Sequence, residues 1–148
     1  MTGAAAGSAL AARAARAGSA VSPDRSLVFP RDHGAHEEFR TEWWYYTGHL
    51  QATTGRLFGF ELTFFRRAVP PKDVKTQLSQ WSVRDLYLAH FAVTDVAGRR
   101  FHFSEKLSRA GLGKAGAEES RLHAWIDDWR GRLPGRSDSA EFTHRRSR

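Results

Sequence analysis

Two strand-borne carboxylates, three histidines and one block of aromatic rings are the side chains here whose type and spacing could do chemistry. Glu42 and Glu61 lie inside strand-like segments. A pair of carboxyls there could act as general acid and base if burial raised their pKa toward the working range. The plainer reading is that Glu61 faces water, since Gly59 and Thr63 share its face, and that Glu42 pins the start of its strand by an ion pair with Arg40. His90 interrupts "LYLA" and "FAV" and is expected to be buried, either as a hydrogen-bonded core residue or as the one polar partner on an apolar wall. "HGAHEE", His33 to Glu38, offers H-x-x-H beside two acids. Zinc motifs of that kind need both imidazoles on one helical face, and Pro30 and Gly34 oppose a helix, so no metal site is expected. No phosphate loop, serine elbow or nucleotide fingerprint occurs, and no cofactor is expected.

The block is "TEWWYYTGHL", with Trp43, Trp44, Tyr45 and Tyr46 consecutive. Successive strand residues point to opposite faces, so Trp44 and Tyr46 share one face and Trp43 and Tyr45 the other. Four rings in a row suit a strand buried on both sides. Each Trp and Tyr also brings a polar handle to an apolar wall, which suits a greasy ligand with one functional group.

The elements that must carry these residues are strands. "EWWYYTGHLQA" runs to a hairpin turn expected around Gly55. "LFGFELTFFRR" alternates, with Phe58, Phe60, Leu62 and Phe64 on one face. That face must look inward, and pairing across Gly55 brings it to the aromatic block. The expected ligand wall is therefore Trp44, Tyr46, Phe60, Phe64 and His90. "LYLAHFAVTD", "RFHFSEKL" and "RLHAWIDDWR" complete five expected strands, and "LYLAHFAV" should be covered on both faces. "PPKDVKTQLSQWSVR" reads as a polar connection and "SRAGLGKAGAEES" as a Gly/Ala-rich loop. The class is all-β, an antiparallel meander. Five strands do not close an up-and-down barrel, for which about eight is the common small number.

Composition bounds the rest. The 148 residues suit one domain, and 41% are hydrophobic. Cysteine is absent, which removes disulfides and thiolate chemistry. The net charge of +7 sits in the ends, since residues 30–129 hold 14 basic and 13 acidic side chains. Phosphate-binding patches sit on the folded surface, so no nucleic-acid partner is expected. Residues 1–26, rich in Ala, Gly, Ser and Arg, read as a disordered leader and residues 131–148 as a disordered basic tail. The segment "AAAGSALAA" is too weakly apolar for a clear signal peptide. No run of about 18 apolar residues could form a transmembrane helix.

Four ordered blocks, "FPRDHGAHEEFRTEWWYYTGHL", "GRLFGFELTFFRR", "LYLAHFAVTD" and "FHFSEKLSRAGLGKAG", resemble the carotenoid 1,2-hydratase/AttH (CrtC) lipocalin-like family, in its N-terminal portion. The resemblance spans about Leu27 to Trp129. It implies a lipocalin-like (calycin-type) β-barrel, incomplete in residues 27–130, and a hydrophobic isoprenoid- or lipid-like ligand. It also implies a periplasmic or secreted setting (cytoplasmic is the alternative) and association with an ABC-transporter system. The alternative activity is that of a carotenoid 1,2-hydratase-type hydro-lyase. Family members continue into a second domain, whereas the sequence after Arg130 reads like out-of-frame arginine-rich chain, as a truncation or frameshift would give. The resemblance places the catalytic polar residues in that second half, so no catalytic residue is carried over by position.

Overall fold

The computed structural model describes residues 19–69 and 84–133, and the backbone of 141–143. Residues 1–18 of the expected leader and most of the polar connection, 70–83, lie outside them.

Four long strands form an antiparallel meander in spatial order β1-β2-β3-β4: β1 Thr41–Gln51, β2 Leu57–Ala68, β3 Asp85–Asp95 and β4 Arg100–Arg109. The β1–β2 loop turns at Gly55, whose φ of +83° is a left-handed conformation that glycine adopts without a Cβ penalty. That turn sets the register, with Trp44 opposite Phe64, Tyr46 opposite Leu62 and Gly48 opposite Phe60. Asp95, buried at the β3–β4 turn, accepts the Gly98 N–H at 2.9 Å and is ion-paired to Arg56 of the β1–β2 loop. One carboxylate thereby ties two neighbouring turns together.

A second antiparallel sheet follows: β5 Ala115–Ala117, β6 His123–Ile126, β7 Trp129–Arg132 and β8 Glu141–Thr143. The core lies between the two sheets. Trp44, Leu62, Phe64, Tyr87 and Ala89 of the first meet Ala115, Ala124, Ile126 and Trp129 of the second. Phe91 meets Trp129 edge-on with ring centroids 6.0 Å apart. The sheets do not close into a barrel.

Five strands were expected and eight are found among the described residues. "RLHAWIDDWR", read as one strand, is the hairpin β6–β7, with Ile126 opposite Trp129 and Asp127 at φ +51°. Aspartate tolerates that conformation through its short polar side chain. The Gly/Ala-rich loop contains β5. In the segment read as a basic tail, residues 131–132 finish β7 and β8 pairs with it, Phe142 opposite Gly131. Residues 19–26 of the expected leader are anchored, with Ser19 N–H donating to the Glu38 carbonyl and Arg25 pairing with Asp32. β3 is packed on one face, through Tyr87 and Ala89. Among the described residues its other face remains half-open, with Leu86 exposed.

Candidate functional site

The inner face of β2 runs Phe60, Leu62, Phe64 and then Arg66. The register puts Arg66 opposite Glu42 on β1 and Tyr87 on β3, so a guanidinium is carried to the end of an apolar wall. It is 2% exposed. A buried cation must be paired and hydrogen-bonded, and Arg66 meets both conditions. One Nη lies 2.9 Å from Glu42 Oε2 and donates to the carbonyls of His36 and Phe39 at 3.0 and 2.7 Å. The other lies 3.3 Å from Asp85 Oδ1.

The segment before β1 folds over that end of the sheet. A 3-10 turn, Arg31–His33, brings Asp32 beneath His36. The His36 ring stands between two carboxylates, Nδ1 3.0 Å from Glu42 Oε1 and Nε2 2.8 Å from Asp32 Oδ1. Glu42 Oε1 also accepts the His36 backbone N–H at 2.8 Å, and Asp32 takes the Val28 N–H and an Arg25 Nη, both at 2.5 Å. The result is a continuous chain Arg25–Asp32–His36–Glu42–Arg66–Asp85.

These surroundings move the two carboxyls in opposite directions. Burial raises Glu42 above the usual carboxylate range, against the lowering pull of Arg66 and the His36 contacts. The His36 side chain and the Val28 N–H hold Asp32 down at about 2. Burial also raises the Tyr46 phenol.

Beside this network an open cleft of about 450 Å3 runs along β1, lined by Leu27, Phe39, Trp44, Tyr46, His36 and Glu42 among others. Both faces of the aromatic block reach it, Trp44 and Tyr46 from within and Trp43 and Tyr45 at the outer lip. Trp43 and Tyr45 are 58% and 64% exposed. Burial of the strand on both sides therefore does not occur among the described residues.

Of the five expected wall residues, the structure brings four to one face. Trp44 and Tyr46 line the cleft. Phe64 is sealed in the core, and Phe60 packs over Gly48, where a Cβ would come within 3.0 Å of its ring. His90 is a correction. It pairs with Thr63 and so projects from the opposite face, between Phe65 and Phe103 at 5.5 and 5.4 Å, with Nε2 3.7 Å from Glu105. The physical reason is complementarity of size, since Ala89 is the β3 residue opposite Phe64 and its set, with Tyr87 and Phe91, takes the core side.

Glu61 faces outward and accepts the Thr63 hydroxyl at 3.2 Å. Glu42 is ion-paired, but to Arg66 rather than Arg40. His33 stacks on Phe29 at 4.4 Å, apart from the His36 network, and among the described residues no cluster is suited to a metal ion. Sequence reading missed Arg66, Asp85 and Asp32. One signal was available, because a hairpin that puts Trp44 opposite Phe64 also puts Glu42 opposite Arg66.

This fold has a counterpart among known proteins. The chain matches the AttH-like family over residues 20–147. The chain belongs to that family. The AttH-like match continues well past Arg130, where the resemblance by motif had been placed to end. Among solved structures the AttH-like chain is similar to an AttH-designated protein from Nitrosomonas europaea, with 35% identity and a TM-score of 0.64. The likeness covers 79% of this chain and 34% of that one, so the chain spans about a third of that relative's length. No curated protein matches it.

Proposed function

We propose that this AttH-like chain binds an apolar, isoprenoid- or lipid-like small molecule in the cleft along β1. The observation that carries the reading is the composition of that cleft. Rings of Trp44, Tyr46 and Phe39 supply apolar surface, and the polar network of Asp32, His36 and Glu42 stands at one end. Sites for small ligands combine such apolar walls with a few placed polar groups. Quenching of tryptophan fluorescence by a long apolar alcohol tests it. Trp44→Ala, corrected for stability, should weaken binding by about 1–3 kcal/mol, the scale of one large apolar contact, and Trp43→Ala by less. Absence of saturable quenching would overturn the reading, as would equal losses from both substitutions. By family resemblance the reading extends to an extracytoplasmic role beside a transporter, which cell fractionation would check.

A second reading, a hydro-lyase acting on such a ligand, is favoured by one feature. The burial-raised carboxyl of Glu42 is held next to the cleft, as a general acid would need. Incubating an acyclic isoprenoid with the chain and looking for a hydroxylated product that Glu42→Gln abolishes is the test.

A further inference from the structure

The face of the first sheet turned away from the core is ordered in rows that cross all four strands. The register aligns Thr41, Arg67, Leu86 and Arg109 in the first row, then Trp43, Phe65, Leu88 and Leu107. The third row is Tyr45, Thr63, His90 and Glu105, and the fourth is Thr47, Glu61, Ala92 and Phe103. The second row is apolar from edge to edge. Leu107 is 71% exposed, and Trp43, Tyr45 and Phe103 are exposed with it. Among the described residues nothing covers these side chains. Contiguous exposed apolar surface of this kind marks an interaction site rather than ordinary protein surface.

The charges on the face are arranged by sign. Arg67 and Arg109 lie in the first row, Glu105 and Glu61 in the third and fourth. A two-fold axis running across the strands between the second and third rows lays Arg67 of one copy over Glu61 of the other, in both directions, and Arg109 over Phe103. It also lays Trp43, Phe65 and Leu88 over Tyr45, Thr63 and His90, and Leu107 over Glu105. The face is thus complementary to itself, as a two-fold interface must be. Four strands and the rows they carry measure roughly 20 by 30 Å, so two such faces would bury on the order of 1,200 Å2 in total, the lower end of specific interfaces.

We propose that this outer face is a homodimer interface, occupied by the same face of a second copy of the chain. The apolar row supplies the burial. Arg67 and Glu61 fix the antiparallel register, because a parallel stacking would set the arginine row against itself.

Sedimentation velocity of the full chain over a micromolar concentration series tests it. A reversible monomer–dimer equilibrium is expected. Leu107→Asp, which sets a carboxylate against Glu105 of the other copy, should raise the dissociation constant at least about tenfold, while Leu112→Asp, exposed but off the face, should leave it unchanged. Arg67→Glu and Glu61→Arg should each weaken the dimer, and the two together should restore it at low salt. All four positions are exposed, and circular dichroism checks that each variant keeps its strands. If Leu107→Asp does not fold, the charge exchange alone decides. A monomer at every concentration, open-ended polymers, or a dimer indifferent to the charge exchange would overturn the proposal.

Discussion

At the scale of single residues, Arg66 is the position on which most of the site depends. Its guanidinium is shared by Glu42, Asp85 and two backbone carbonyls, so Arg66→Leu takes the cation from two half-buried carboxylates at once. Removing one partner of a buried pair costs about 3–5 kcal/mol, whereas replacing both with apolar groups is often close to neutral. Urea unfolding should therefore show a larger loss for Arg66→Leu than for Arg66→Leu combined with Glu42→Leu, and equal losses would show that the pair is not coupled. The acid limb belongs to Asp32 and Glu118. Their ordinary values of 3.8 and 4.5 are both lowered to about 2, Glu118 chiefly by Arg121 and then by His123. A carboxyl depressed in the folded state binds its proton more readily when unfolded, so its contribution is present above about pH 4 and is lost as pH falls toward 2. Glu42, raised by burial, acts in the opposite sense. Asp32→Asn should flatten the fall in stability between pH 4 and 2, measured by denaturant midpoints at each pH.

At the scale of elements, close approach between the sheets gives the sharpest expectation. A Cβ on Gly131 of β7 would fall 2.8 Å from the Tyr46 ring of β1. Gly131→Ala must push that ring away and should cost about 1–3 kcal/mol, as overpacking does. Gly59→Ala, whose Cβ would meet nothing nearer than Thr94 at 3.9 Å, should change the midpoint little. The same contrast explains what was legible in the sequence. The first sheet could be read because its strands run for 10 to 12 residues with two-residue alternation, and Gly55 announces the turn. The second could not, because β5 to β8 have three or four residues each, too few for a period, and the β6–β7 turn at Asp127 and Asp128 contains no glycine. Within the site, the rings of β1 follow from alternation alone. His90 was misplaced for want of a β2–β3 register, which depends on the pairing of Ala89 with Phe64 and on no local signal. The Asp32–His36–Glu42 chain was hidden because its members come from an irregular segment whose path only the folded sheet defines.

At the scale of the whole molecule, the stretch before β1 is part of the fold. Residues 25–39 give Arg66 two carbonyls, give Glu42 two nitrogen contacts and wall the cleft. Truncation to Arg40 should therefore abolish the ligand-dependent quenching and weaken the near-ultraviolet aromatic signal of Trp44 and Tyr46. Retention of both would mean that the first sheet is self-sufficient.

The first sheet is pinned at each end by an arginine held on carboxylates, Arg66 buried behind Glu42 and Arg56 at the turns. Arginine keeps its proton throughout, so only the acids can release either end. Glu42 is raised by burial, while Asp95 is lowered by Arg56 and the Gly98 N–H. A carboxyl raised in the fold takes its proton more readily folded than unfolded, so protonation of Glu42 does not by itself unfasten the sheet. Acid works instead through the lowered carboxyls, Asp32 in the roofing segment and Asp95 at the turns, so both ends stay fastened until those two take up protons.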